Sequence, residues 1–396
     1  MTSSVLGSVT LGFEPIWNQK RQCTGVRLFV ASDSSSAVDA RHLLEAISKL
    51  WPDTAPTLLL NVQSFDLLGD LLNHLPENGI WLEISDAALG HQALTGIIRQ
   101  ANQRGWHLVW SGQDGHAPPP HSASLFHKTL RTLTPQEALM ALHASQRPTS
   151  PSPVLAGCLY QGLASQALVD HALDRQGIWG VVGWPVDEIL HSHRLQQIQP
   201  SRLHIRALLK AQDNDASLEA LENLLGEEPL LTHRFLRYAN SAHFGARREI
   251  NTIRQGLMVM GYTQLRTWLM EQISTGQDDP NLAPIRTSMV LRGHLMEHLC
   301  EAGIENELRR EVFLCGIFSQ LDLLLGEHLG AAIHRLPLSG RITSAVVGQT
   351  GPYAAWLAVA SALESSNTRM IREVCKAHGM PADEVNRALL RTLAAL

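Results

Sequence analysis

The chain has 396 residues, enough for two ordinary domains with full cores. Hydrophobic residues make up 44% and charged residues 17%, a balance that excludes a wholly disordered chain. The formal net charge is −5 with both signs mixed along the chain, which gives no sign of a strong nucleic-acid footprint, so no nucleic-acid partner is expected, although an acidic total leaves room for a local basic patch.

The first half reads as strands alternating with helices. Leu58-Leu59-Leu60-Asn61-Val62 is a short apolar run bounded by Pro56 and a polar turn, and it suits a buried strand. A helical stripe through Leu67, Leu68, Leu71 and Leu72 follows. Gly79 to Ile84 is the next strand, and Gln92 to Gln103 the next helix, with Leu94, Ile97, Ile98 and Ala101 on one face and Gly105 as its stop. Trp106 to Trp110, Val154 to Gly157 and Gly180 to Gly183 read as further strands. This alternation predicts βα units around a parallel sheet. The proline-rich stretches Ala117 to Pro120 and Pro148 to Pro153 read as surface loops, because the pattern resumes after each.

From about Gln197 the pattern is helical only. Asp213 to Ser217 supplies caps for a helix through Leu218, Leu221, Leu224 and Leu225. Pro229 opens a helix whose face is Leu231, Phe235 and Ala239, with Asn240-Ser241 at its end. Thr252 caps a helix through Ile253, Leu257 and Met260 that Gly261 stops, and Thr263 caps another through Leu265, Trp268, Leu269 and Ile273. Further helices are expected over Val312 to Leu325, Ala354 to Leu363 and Asp383 to Leu393. The change of pattern puts a domain boundary near Leu195 to Ser201.

The segment from Leu203 to Met270 resembles the HDOD domain family. The resemblance is carried by Glu228-Pro229-Leu230-Leu231, by Arg234 through Tyr238-Ala239-Asn240-Ser241 to Gly245, by Ile253 to Leu257, and by Met260-Gly261. Phe318 to Gly326, Leu336 to Ser339 and Gly351-Pro352-Tyr353 extend it. Phe13 to Trp17, Gly25 to Phe29 and Leu82-Glu83-Ile84 resemble the phosphodiesterase-like EAL family, and the whole is similar to the YuxH-type architecture of EAL followed by HDOD. The resemblance implies an α/β part and an all-α part. Residues 1–196 would form a degenerate (β/α)8 EAL-like barrel, and residues 197–396 an all-helical HDOD domain.

An EAL domain hydrolyses cyclic di-GMP with metal ions held by carboxylates, and two divalent ions on a phosphodiester demand several acids at the strand ends. The resemblance places Arg27 in the first motif's glutamate position, with Asn61 and Glu83 at metal-ligand positions. Residues around Trp110-Ser111-Gly112 replace the paired aspartates. Lys128-Thr129-Leu130 replaces the lysine-x-aspartate signature, Gly157 the later glutamate and Trp179 the closing glutamine. Catalytic residues, cofactor and metal are therefore expected to be absent, with Asn61, Glu83 and Arg27 left as a remnant cleft.

HD-type hydrolysis needs a His-Asp pair, and the matching position reads Ser319-Gln320. His294 and His298, at i and i+4, have zinc-binding spacing but no clear third ligand. Gly245-Ala246-Arg247-Arg248 is a small basic turn, read as a solvated loop. Tyr238, Asn240, Ser241 and Phe244 mix aromatic, amide and hydroxyl groups at a helix end, as capping plus core or as a recognition surface. Exposed tryptophans among the nine can anchor a partner. The five cysteines are odd in number and show no CxxC spacing, which reads as free thiols in a reducing cytoplasm. No run approaches ~18 apolar residues, so no membrane span is expected. Met1 to Phe13 lacks the charged start and long apolar core of a signal peptide. The expected function is a non-catalytic bacterial signalling adaptor working through protein partners in the cytoplasm. The alternative is a sensor that binds cyclic di-GMP or another nucleotide without cleaving it.

Overall fold

Eight strands close into a barrel in chain order: β1 (Val9–Trp17), β2 (Cys23–Ser32), β3 (Thr57–Val62), β4 (Ile80–Ser85), β5 (His107–Ser111), β6 (Lys128–Thr132), β7 (Leu159–Gln161) and β8 (Gly180–Val182). The computed structural model describes residues 4–32, 38–112, 116–147, 149–241, 249–300 and 305–396. β1 runs antiparallel to both of its neighbours, and all other adjacent pairs are parallel. A tight turn makes this possible. Asn18 and Gln22 pair across it, and Arg21 takes a left-handed φ of 57° within it.

Side chains alternate in and out along each strand, so one face lines the barrel interior. Ile16, Leu59, Val109, Leu130, Leu159 and Val182 pack as one cluster there, each less than 5% exposed. Trp81 and Trp179 pack against it. The barrel is therefore a filled core, and chemistry is confined to its ends.

The strands expected near Leu58, Gly79, Trp106 and Gly180 are present as β3, β4, β5 and β8, and the helix Gln92–Gln103 ends before Gly105 at φ 95°. The expected strand Val154 to Gly157 is not a strand. Gly157 takes φ 72° in a turn, and the pairing segment is β7, just after it. A four-residue apolar run before a glycine fits a buried turn as well as a strand. β1, β2 and β6 were not anticipated as strands, since β1 and β2 carry Glu14 and Arg27 inside their apolar runs.

The chain divides into two compact units, Met1–Glu188 with Ala362–Leu396, and Ile189–Ser361. This corrects the expectation that residues 197–396 form one helical domain. The helices Thr368–Ala377 and Ala382–Ala394 belong to the barrel unit. Asn386 Nδ2 donates to the carbonyls of Leu6 (2.8 Å) and Val9 (2.9 Å), and Arg372 donates to Thr10 Oγ1 and Ser32 O. The amphipathic stripe of Ile371, Val385, Leu389 and Leu393 is buried. Helical periodicity shows that a stripe exists but not what it covers. The chain passes so close that a Cβ on Gly12 would lie 2.2 Å from the Ser365 carbonyl.

In the helical unit two of the expected caps are in place, whereas Thr263 lies within the helical run Ile253–Thr275. Ser217 accepts from Ala220 N, and Thr252 accepts from Gln255 N. Glu228, 1% exposed, caps the helix Pro229–Ala239 at Leu231 N and lies 2.9 Å from Arg286 Nε. Gly261 breaks the helical run Ile253–Thr275 with φ 70° and ψ 169°, as its expected role as a stop requires.

Candidate functional site

The C-terminal ends of the barrel strands are where a (β/α)8 barrel carries its chemistry. Arg27 projects inward from β2 and meets Glu83 from β4. Nε donates to Oε2 at 2.7 Å and Nη2 to Oε1 at 2.7 Å, a two-point fork. Both side chains are buried, Arg27 at 8% and Glu83 at 4% exposure. Nη1 reaches Gln161 Oε1 of β7 at 3.1 Å and Glu14 Oε2 of β1 at 3.4 Å. Gln161 Nε2 in turn donates to Glu14 at 3.3 Å. The guanidinium also lies 4.9 Å from the Phe29 ring centroid.

The electrostatics follow from this geometry. Burial pushes the Glu14 carboxyl above its usual range, and Arg27 pulls it part of the way back. Burial acts to lower the Arg27 pKa, but the charges and hydrogen bonds of Glu83 and Glu14 outweigh it and hold the guanidinium firmly protonated. One arginine is thus neutralised by two carboxylates inside a low-dielectric barrel, where such a pair is far stronger than at the surface.

Of the three residues expected at the remnant cleft, the structure joins Arg27 to Glu83. Asn61 sits on β3 opposite Phe29, outside the Arg27 hydrogen bonds. Glu14 and Gln161 are the members that sequence reasoning missed. Glu14 lay within the Phe13 to Trp17 stretch that carries the EAL resemblance, but its place beside Arg27, like that of Gln161, is an interior register position visible once β1 and β7 are paired. Three other assignments are corrected. Lys128 opens β6, Gly157 precedes β7 and Trp179 precedes β8, so all three lie at the N-terminal rim. There Trp179 packs on Trp81 (5.2 Å between centroids), and Trp81 stacks on His107 (5.6 Å). The residues that close β6, β7 and β8 at the opposite end are Thr132, Gln161 and Val182, none of them acidic. At the end of β5, Trp110 is buried and its Nε1 donates to His116 O at 2.9 Å. This set does not fit a pair of divalent ions. Both oxygens of Glu83 already bind a permanent cation, and Glu14 shares it.

A cleft of about 500 Å³ opens beside Gln161, bounded by Leu163, Val182, Trp184, Asp187 and Glu188.

In the helical unit, Asn240 is a staple rather than a reader. Its amide donates to Leu236 O and Ile250 O and accepts from Ile250 N, all within 2.9 Å. Tyr238 stacks on Trp268 at 5.9 Å. Phe244 and the basic turn Gly245–Arg248 lie outside the described residues. His294 Nδ1 pairs with Glu297 at 2.8 Å and its ring packs on Phe313. Among the described residues no cluster of three or more His, Cys, Asp or Glu side chains is arranged to hold a metal. Ser319 ends the helix Asn306–Phe318 and donates to Gly316 O. No helix among the described residues is long and apolar enough to cross a membrane.

Residues 196–327 match the HDOD domain family. The YuxH protein of Bacillus subtilis is 24% identical over 144 residues, 35% of this chain and 34% of that protein. Cyclic di-GMP phosphodiesterase CdgJ of Vibrio cholerae is 21% identical over 170 residues, 43% of this chain and 39% of that protein. The matches thus span well under half the length of these curated relatives. Among solved structures, the MmoQ response regulator of Methylococcus capsulatus aligns with a TM-score of 0.40 at 17% identity, covering 49% of this chain and 98% of that one. The chain thus combines a closed eight-stranded barrel with a helical segment, residues 196–327, that matches the HDOD domain family.

Proposed function

We propose that this chain is a non-catalytic signalling adaptor that works by binding protein partners through its HDOD and barrel units. One observation carries the reading. The Arg27 guanidinium sits on Glu83 and reaches Glu14 and Gln161, filling with fixed positive charge the place where a hydrolytic barrel gathers its cations. Phosphodiester cleavage by metal ions needs carboxylates free to bind and orient them. Here the carboxylates are spent on holding the barrel together.

The test is turnover of cyclic di-GMP by the full chain with magnesium or manganese. No product above the protein-free control is expected. Turnover that Glu83→Gln abolishes would overturn the reading.

A second reading is a sensor that binds cyclic di-GMP or a related nucleotide without cleaving it. The open cleft beside Gln161 and Trp184 favours it. Calorimetric titration of the full chain with cyclic di-GMP separates the two. Flat heats support the adaptor, and saturable heat lost in Trp184→Ala supports the sensor.

A further inference from the structure

The helical unit holds a second arginine site, built on the opposite principle. The helix Pro229–Ala239 carries Arg234 and Arg237 one turn apart, beside Tyr238. With Trp268 and Gln272 from the next helical run they border an open cleft of about 290 Å³. Its floor is rigid. Trp268 is 2% exposed, stacked under Tyr238 and edge-on to Phe235 at 5.6 Å.

Among the described residues neither arginine of this cleft has a carboxylate of its own, and Glu228, the acid that acts on Arg234 from nearby, is already paired with Arg286. Arg234 donates to two neutral amide oxygens, Gln272 Oε1 at 3.1 Å and Gln199 Oε1 at 2.5 Å, and among the described residues no carboxylate pairs with it or with Arg237. Like charges one turn apart on a helix destabilise it. Burial pulls the Arg234 pKa below its ordinary value; Glu228 opposes this in part, and the neighbouring Arg237 adds to it. The cost also reaches the next residue. Buried His233 stands beside Arg237, Arg335 and Arg234. Arg335 is answered by Glu327. The helix dipole helps Arg237, in the last turn, but not Arg234.

We infer that this cleft is the adaptor's recognition site for an acidic peptide segment of a partner protein, whose carboxylates complete the Arg234–Arg237 pair over the Tyr238–Trp268 floor. The inference rests on the adaptor reading and names the partner's chemistry. Charge complementarity selects the occupant, and arginine and stacked aromatics are the residues that dominate interface energy. The cleft is open to solvent and not enclosed, unlike the sites that bury most of a small ligand. That favours side chains of a peptide over a buried metabolite.

The probe is a fluorescein-labelled peptide of alternating glutamate and glycine, titrated with the full chain and followed by polarisation. The matching lysine-glycine peptide serves as control. Binding of the acidic peptide alone is expected, weakening with salt and falling about tenfold in Arg237→Gln, the loss of one charge-assisted pair. Tyr238→Ala should weaken it as well. Arg41→Gln, a control on the barrel unit, should bind as the parent does. Circular dichroism melts confirm that each variant is folded. Absence of binding, equal binding by folded Arg237→Gln, or equal loss in Arg41→Gln would overturn the site. Displacement by inorganic phosphate or adenosine monophosphate at matching concentrations would overturn it in favour of a small-anion site. Cyclic di-GMP turnover would sink the adaptor reading while leaving the peptide result intact, so the two failures are distinct.

Discussion

Arg27 in the barrel and Arg234 with Arg237 in the helical unit are the same side chain put to opposite use. Arg27 is 8% exposed and shared between two carboxylates. Arg234 and Arg237 lie at the border of an open cleft; the hydrogen bonds of Arg234 go to neutral amides, and the nearby Glu228 is held by Arg286. A charge that the fold itself neutralises is spent on structure. A charge held in place without a partner keeps its binding capacity for something outside the chain. Position in a sequence cannot separate these two roles. The counter-ion census can.

The comparison breaks most decisively if the buried pair proves dispensable. Glu83→Ala removes the two-point partner and leaves the buried guanidinium with only the longer Glu14 contact, and should cost about 3–5 kcal/mol, seen as a large fall in the barrel's melting temperature. Replacing both partners, Arg27→Met with Glu83→Leu, should recover most of that loss, because buried ion pairs often contribute little net stability over apolar substitutes. A double variant no better than Glu83→Ala would show that Arg27 does more than balance charge.

Acid sharpens the other half of the comparison. His233 is 3% exposed, and its pKa is pushed down to about 4 by burial first and by Arg237, Arg335 and Arg234 after it. The folded state therefore resists a proton that the unfolded chain accepts near its ordinary value. Stability should be full above about pH 6.5 and be lost as pH falls from there towards 4, by up to about 3 kcal/mol. Urea midpoints of the helical unit between pH 7 and 4.5 measure it, and His233→Asn should flatten the slope. Arg237→Gln, which removes one of the nearby charges, should make it shallower.

The smallest expected effect is on stability in Arg237→Gln at neutral pH. Its unfolding free energy should stay within about 0.5 kcal/mol of the parent's, or rise slightly as like-charge repulsion is relieved. A drop comparable to that of Glu83→Ala would mean that Arg237 holds the fold together and is not reserved for a partner.

Much of this architecture was legible in the residues. The apolar runs at Leu58, Ile80 and Leu108 became strands because a parallel barrel buries them on both faces. Ser217, Glu228 and Thr252 lie where helix starts need an acceptor, although the cap offered by Glu228 was not foreseen. Arg27 and Glu83 were marked by motif alone, and they do meet. What stayed hidden depends on three-dimensional register. Glu14 and Gln161 join Arg27 only after the barrel closes. Lys128, Gly157 and Trp179 were assigned to motif positions and stand at the starts of their strands, because β6, β7 and β8 are only three to five residues long and a misplacement of a few residues crosses the barrel. The recognition cleft draws Arg234 and Trp268 from segments far apart in the chain, and neither is unusual on its own.

The barrel unit is assembled from two stretches of chain with the whole of Ile189–Ser361 between them. A ribosome therefore delivers the helical middle before it delivers the helix whose Asn386 clasps the carbonyls of Leu6 and Val9. Until then the nascent barrel exposes an unsealed flank, and release of a protein cut short in its last helices should leave that flank open to proteases and to other unfinished chains.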